Sequence, residues 1–504
     1  MANIAPCTAL ERAVALHEAS VALLDSSRAL SYGELDSLAS AMADHLQDLG
    51  VRAGARVAIC AAKRVETIAC MYGCWKLGAC YVPIDPTLPT ERKERLLAQC
   101  APAVLVTDAD VPVCRFAGPA LNLRGFSKPT VNRGRVRAPV TPSCDDDAVA
   151  AILYTSGSTG QPKGTALTHR NLAVFTSWAV SKFDLGAADR FLSHAPLHFD
   201  LSFFDLFAAV ACSASVLLLD AREVAQPLLV AQRVVETGVS IWQSVPFALT
   251  MQAACRAKAP AMPSVRHVLF AGERMPRATV EALQGVFPRA AAHNVYGCTE
   301  ANDTLIYTLP PDPRAAPDPL PIGTPLPHVQ VRVVDAAGVW VQAGESGELW
   351  VSSETLMQGY VCGPRSDDIE RGSHVIDGFY RTRDVVVEDS QGVFHFLGRV
   401  DDWVKVRGQR VNLMEVEDHL RTSQHVRDVA VLSVSDPVVG TKIVAIVAPE
   451  EPSDIASLEL ALRRHCQAVL PAHAIPHSIR AHTDVLPKTA TGKIDRRALQ
   501  QLVS

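Results

Sequence analysis

The chain has 504 residues, 48% of them hydrophobic and 20% charged, with a formal net charge of −5. This is globular composition, long enough for roughly three domain-sized units. The densest basic stretch, Arg92-Lys-Glu-Arg95, is mixed in sign, and the longest apolar run, Leu206 to Leu219, is shorter than the ~20 residues of a membrane helix, so neither a nucleic-acid partner nor a membrane is expected.

Met1-Ala-Asn-Ile-Ala-Pro has no basic stretch followed by an apolar one, so no signal peptide is expected. Glu34 to Leu49 places Leu35, Leu38, Ala39, Met42, Leu46 and Leu49 on one helical stripe, stopped by Gly50. Arg56–Cys60, Tyr81–Ile84 and Ala103–Thr107 read as buried strands, with helices at Glu66–Leu77 and Thr90–Gln99, the latter capped by Thr90. The alternation resumes with a helix at Asn171–Lys182, a strand at Ala214–Leu219, a helix at Leu228–Thr237 and a strand at Val265–Phe270. Such a pattern predicts parallel sheets covered by helices on both faces. Leu309 to Pro327 holds eight prolines in nineteen residues and must be an extended connection. Short strands follow (Val329–Asp335, Glu348–Ser352, Val393–Leu397), and after Asp401 helices at Leu413–Thr422 and Ile455–Val469 alternate with strands at Asp428–Ser433 and Lys442–Ala448. The fold class is therefore α/β: a large N-terminal domain of helix-covered sheets with a β-rich subdomain, then a small α+β C-terminal domain. Thirteen cysteines, scattered in apolar contexts without zinc spacing, read as buried thiols of a reducing compartment.

The chemistry concentrates in Tyr154-Thr-Ser-Gly-Ser-Thr-Gly-Gln-Pro-Lys163-Gly164, which follows the apolar run Val149–Leu153. Hydroxyls, backbone N–H groups and a lysine in one loop suit polyphosphate oxygens, although surface linkers share that composition. The loop is not a Walker loop, because no Gly-Lys-Ser/Thr stands at the required spacing. Further along come Phe199-Asp200-Leu-Ser202, Asn294-Val-Tyr296-Gly297-Cys-Thr299-Glu300, Gly347-Glu-Leu, Tyr380-Arg-Thr-Arg-Asp384, Gly398-Arg399-Val-Asp401, Lys405-Val-Arg-Gly408-Gln-Arg410 and Thr491-Gly492-Lys493-Ile-Asp495-Arg496. Upstream sit Leu30-Ser-Tyr-Gly-Glu-Leu35 and Leu77-Gly-Ala-Cys-Tyr81-Val-Pro-Ile-Asp85. In kind, order and spacing the series resembles the adenylate-forming superfamily from about residue 30 onward. Within it, the chain is similar to the amino-acid adenylation enzymes of nonribosomal peptide synthesis.

The resemblance implies ATP and Mg²⁺ as cofactors, a cytoplasmic enzyme, a core of residues 1–400, and a mobile domain of residues 401–504 hinged at Asp401. An amino acid would attack the α-phosphorus of ATP, and the acyl group would pass to the phosphopantetheine thiol of a separate carrier protein. Thr155, Ser156, Gly157, Ser158, Thr159, Gly160 and Lys163 would hold the outer phosphates. Glu300 would hold the metal, or it is a solvated loop carboxylate. Thr299 would bond the α-phosphate, Gly272 and Tyr296 would meet the adenine, Asn294 and Gly297 would also contact the nucleotide, and Asp384 and Arg399 the ribose. Most such enzymes carry glycine where this chain has Arg383, which puts the local turn in question. Lys493 would be the mobile catalytic lysine. It would be withdrawn as the domain swings and Gly408 lets a thiol arm pass.

Asp200 would meet the substrate's α-ammonium, beside Phe199; alternatively it caps a helix near Ser202. The side-chain pocket would be lined by Leu201, Phe204, Gln243, Leu269, Ala271, Val295, Asp303 and Thr304. Asp303 would favour a substrate with a second amine or a hydroxyl, or else it caps a turn with Asn302. No carrier-protein or condensation segment is recognised in the chain, so a stand-alone enzyme is expected. D-Alanine–carrier protein ligase and carboxylate–CoA ligase are the rival readings.

Overall fold

A computed structural model describes residues 4–108, 115–126, 145–156, 162–365, 368–370, 374–406, 409–436, 440–451, 454–470, 474–489 and 493–503. Contacts divide the chain into two compact units, Met1–Val331 with Val351–Arg381, and Arg332–Trp350 with Thr382–Ser504.

The first unit holds a nine-stranded and an eight-stranded sheet. In the nine-stranded sheet, Arg190–Ser193, Ile241–Ser244, His267–Ala271 and Ala291–Cys298 run parallel in register, Gln243 beside Leu269 and Ala271 beside Val295. Alternation sends Trp242, Val268, Phe270 and Ala292 to one face. There they pack with Val230, Val234, Leu249, Val280 and Leu283 of the helices Pro227–Thr237, Pro246–Cys255 and Arg277–Val286. Gln243, Leu269, Ala271 and Val295 therefore share the opposite face. The antiparallel strand Asn302–Thr308 pairs with Ala291–Cys298, and a register shift after Tyr296 sets Asp303 against Gly297.

In the eight-stranded sheet, Cys80–Pro83, Arg56–Cys60 and Val104–Thr107 are parallel neighbours, as the sequence predicts. The predicted helices are present too, at Tyr32–Asp48, Val65–Lys76, Thr90–Cys100, His169–Lys182 and Pro227–Thr237. Thr90 is not the cap expected of it: Pro89 holds that position and no side chain caps the helix. The run around Leu206 is one helix from Leu201 to Ala211 whose middle, Phe204–Ala208, widens to π geometry. The proline-rich connection contains a short 3-10 turn at Pro313–Ala315 and a two-residue strand at Thr324–Pro325.

The second unit carries the cross-strand pairing of Phe379–Glu388 with Phe394–Arg399 and a hairpin of Trp403–Val406 with Gln409–Asn412. Its three-stranded sheet is built from Val426–Asp436, Gly440–Pro449 and Ser478–Ala481. The helices Leu413–Arg421 and Ile455–Gln467 cover that sheet with Val416, Leu420, Leu458 and Leu462. Among the described residues, the cysteines from Cys60 to Cys466 are free thiols, but Cys7 is disulfide-bonded, which departs from reading every cysteine as a thiol.

Candidate active site

Strands Val149–Ser156 and Pro162–Thr168 form an antiparallel hairpin that sets Thr155 opposite Lys163. Gly157, Ser158, Thr159 and Gly160, together with the Ser156 side chain, lie outside the described residues. Lys163 Nζ lies 3.2 Å from His374 Nε2 and 4.9 Å from the centre of the Tyr360 ring. The Tyr360 hydroxyl donates to Glu300 Oε1 at 2.8 Å and lies 3.3 Å from the Tyr380 hydroxyl. Burial pushes both phenols up, so they stay protonated and able to donate. Lys163, Tyr360 and Glu300 thus form a contiguous line.

The turn bearing Thr299 and Glu300 is itself pinned. Met357 N donates to Glu300 O at 2.7 Å, and Thr355 Oγ1 donates to Ala301 O at 2.7 Å. Asn294 Nδ2 donates to Pro321 O at 2.7 Å, and Thr304 Oγ1 donates to Tyr296 O at 3.1 Å. At Gly297 a Cβ would stand 2.2 Å from Asn302 O, so only glycine fits. Gly272 ends the His267–Ala271 strand at φ +92°, a conformation glycine reaches without strain.

Asp200 precedes the Leu201 helix with helical backbone angles and makes no side-chain cap bond, which removes the capping alternative. Its approach is braced by a residue the sequence did not single out. Lys63 Nζ donates to Ser193 O at 2.5 Å and to Ala195 O at 2.9 Å, and burial brings its ammonium down to about 8. Phe199 lies 4.8 Å from the His198 ring, centre to centre. Phe204 is fully buried against Phe183 and Phe191. Leu201 is half-buried, while Gln243, Leu269, Ala271, Val295 and Thr304 are buried. Asn302 Oδ1 accepts from Asp303 N at 2.7 Å, so the local turn is closed by Asn302 rather than by the Asp303 side chain. Burial, and then the charge of Asp200, push the Asp303 carboxyl up to about 8.

In the second unit, Asp384 Oδ1 accepts from Arg399 Nη1 at 2.8 Å across paired strands. The aspartate side chain is 13% exposed and that of the arginine 49%. Arg383 adopts φ +62°, the left-handed conformation glycine favours, and its N–H donates to Glu348 Oε1 at 3.2 Å. Arginine therefore takes a left-handed conformation within the strand Phe379–Glu388, at some backbone cost. Asp401 sits in a short 3-10 turn, Val400–Asp402. Lys405 and Arg410 pair across a hairpin, with Gly408 outside the described residues. Lys493 is exposed, and its carbonyl accepts from Thr489 N at 2.7 Å. Sequence reading missed Tyr360, Tyr380 and His374 as partners of the lysine–glutamate line. A tyrosine directly after Gly359 was the available signal.

The helix-covered sheets and the match to a family model place the chain among nucleotide-binding enzymes: it belongs to the AMP-binding enzymes. That family's model matches residues 10–361, and the model of the AMP-binding enzyme C-terminal domain matches residues 415–493. The chain is 34% identical to an L-proline–[L-prolyl-carrier protein] ligase of Pseudomonas fluorescens, over 96% of each chain. It is 29% identical to a D-alanine–D-alanyl carrier protein ligase of Bacillus cytotoxicus, over 86% of each chain. The solved O-succinylbenzoate coenzyme A synthetase of Bacillus subtilis, in complex with AMP, superimposes with a TM-score of 0.84 over 98% of both chains at 22% identity, a likeness of fold. Among the described residues no helix is long and apolar enough to cross a membrane.

Proposed function

We propose that this enzyme converts an amino acid to its aminoacyl-adenylate and passes it to the phosphopantetheine thiol of a separate carrier protein, in the cytoplasm. It is an ATP-dependent amino acid–carrier protein ligase. The observation that carries the amino-acid reading is a pair of carboxyl groups, Asp200 ahead of the Leu201 helix and the buried Asp303, near enough that the charge of the first acts on the second. A fatty or aryl acid would gain nothing from two carboxyl groups there, whereas an α-ammonium offsets the cost of burying Asp200. The relatives named for prolyl and D-alanyl carrier proteins support the same class, and the D-alanine and CoA readings become competitors in the assay.

Thr155 and Lys163 would hold the outer phosphates, Thr299 the α-phosphate, and Asp384 with Arg399 the ribose. Glu300 fits Mg²⁺: this ion takes few protein carboxylates and otherwise binds phosphates and water, and the Tyr360 hydroxyl holds one oxygen of this carboxylate at 2.8 Å. Bound there, Mg²⁺ would neutralise charge on the phosphates during adenylation. Residues 401–504 would swing about Asp401, exchanging Lys493 for the Lys405–Arg410 hairpin.

The test is amino-acid-dependent exchange of labelled pyrophosphate into ATP, followed by carrier loading. CoA-dependent AMP release from a fatty or aryl acid, with no exchange for any amino acid, would overturn the reading. In the same assay Lys493→Ala should lower exchange by ~10²–10³, the scale of one lost transition-state stabiliser, and leave transfer from a supplied aminoacyl-adenylate within a few-fold of wild type. Equal loss in both steps would exclude the swinging domain.

A further inference from the structure

Lys63 stands in the turn between the strand Arg56–Cys60 and the helix Val65–Lys76, and that turn is fixed from two sides. Ala62 N donates to Asp108 Oδ2 at 3.0 Å, and Thr67 Oγ1 donates to Ala62 O at 2.6 Å. The carbonyls that Lys63 Nζ holds, Ser193 O at 2.5 Å and Ala195 O at 2.9 Å, end one strand of the nine-stranded sheet and begin the segment leading to Asp200. From there the segment is fixed bond by bond. Phe199 N donates to Pro196 O at 3.1 Å, and Ser202 Oγ donates to Phe199 O at 2.6 Å. Beyond Asp200, the buried Asp205 is the charge that acts most on the Lys63 ammonium. Lys63 therefore engages the chain both before Asp200 and after it. The adjacent strand adds another contact: His198 Nε2 lies 3.8 Å from Asp85 Oδ2, just past Cys80–Pro83, the parallel neighbour of Arg56–Cys60.

We propose that Lys63 is a positioning residue for the amino-acid site: by holding the carbonyls of Ser193 and Ala195 it fixes where Phe199 and Asp200 stand, and so how tightly the substrate's ammonium is bound. This rests on the amino-acid-activating reading above. Lys63 acts through Asp200 and touches neither substrate nor nucleotide. An ammonium bonds carbonyl oxygens more strongly than a neutral amide does, and its three donors on one atom fix the two carbonyls relative to each other. The need for such a hold follows from the geometry of a charged contact, where a shift of ~1 Å can cost about 100-fold.

The test is pyrophosphate exchange by the full-length enzyme, with the amino acid that the wild type exchanges fastest among the twenty of proteins and D-alanine. Lys63→Met should raise the KM for that amino acid by ~10–100-fold and leave the KM for ATP within a few-fold. Asp200→Asn should also raise the amino-acid KM. Adding Lys63→Met to Asp200→Asn should then change it by no more than a few-fold, because no carboxylate charge is left to position. Two effects that multiply, or an equal rise in both KM values, overturn the inference and leave the amino-acid reading standing. An unchanged amino-acid KM in Asp200→Asn overturns it too, since the route through that carboxylate is gone. Exchange with no amino acid overturns both the inference and the reading. Should Lys63→Met fail to fold, Lys63→Gln keeps an N–H for one carbonyl, and its smaller rise should vanish in the Asp200→Asn background in the same way.

Discussion

A carboxylate proposed to hold a cation works best when it cannot wander, and Glu300 accepts from the Tyr360 hydroxyl at 2.8 Å. Tyr360→Phe removes one hydrogen bond to a charged group, typically ~1.5–3 kcal/mol, so kcat/KM for ATP should fall by roughly 10–100-fold. Exchange measured across a magnesium titration checks this: the deficit should shrink as magnesium rises. A variant that keeps wild-type magnesium dependence would show that the phenol plays no part in positioning Glu300. The sequence singles out Lys163, Glu300 and Asp384 as candidates because each lies in a short stretch dense in glycine, hydroxyls and charge. It does not single out Tyr360, His374 and Lys63, because their partners are distant in the chain: Glu300 is 60 residues from Tyr360, and Ser193 is 130 residues from Lys63. Only the folded topology brings such pairs together.

At the scale of elements, the His169–Lys182 helix starts in a reciprocal cap. Thr168 Oγ1 accepts from Asn171 N at 3.2 Å, and Asn171 Oδ1 accepts from Thr168 N at 2.9 Å. The same asparagine donates Nδ2 to Glu354 O at 2.7 Å and to Leu356 O at 3.1 Å, tying the helix to the segment that pins the Glu300 turn. Asn171→Ala gives up half of the cap and strands two carbonyls, so it should cost about 2–3 kcal/mol in denaturant unfolding. A loss under about 0.5 kcal/mol would mean that water replaces these bonds. The helix itself was readable from its apolar spacing. The strand Asn302–Thr308 and the π turn at Phe204–Ala208 were not, because neither alternation nor a helical period marks them. Local pattern finds amphipathic elements. Fully buried ones, such as Val65–Lys76 with its long run of buried residues, are placed by the glycine that ends them, here Gly78.

For the molecule as a whole, acid should be the weak flank. Burial brings His169 down to about 4 and His293 down to about 3, both below the ordinary histidine value. Each folded histidine therefore stays neutral while its unfolded counterpart takes up a proton below about pH 6.5. The unfolded state binds more protons there, so stability falls with pH, by at most about 1.4 kcal/mol per unit for each histidine. The slope from these two residues ends near their folded values. Urea unfolding at a series of pH values between 7 and 4 checks this, and replacing His169 by glutamine should flatten the slope by one histidine's share. A flat profile would mean that the imidazoles find compensating partners. The class of fold was legible from the strand–helix alternation and the motifs. The division at Arg332 and Thr382 was not, because strands run through both points without a change in composition.

Asn171 also constrains how the gene can drift. Its side chain uses one acceptor and two donors at a fixed short reach. A single base change in an asparagine codon leads only to lysine, aspartate, histidine, tyrosine, isoleucine, serine or threonine. None of these offers that set at that length: aspartate lacks the donors, the hydroxyls supply one hydrogen, and the remainder are too large or apolar. Glutamine has the right groups on a stem one carbon too long. The position is therefore a dead end for stepwise mutation, and a library that saturates every codon should recover asparagine there almost alone.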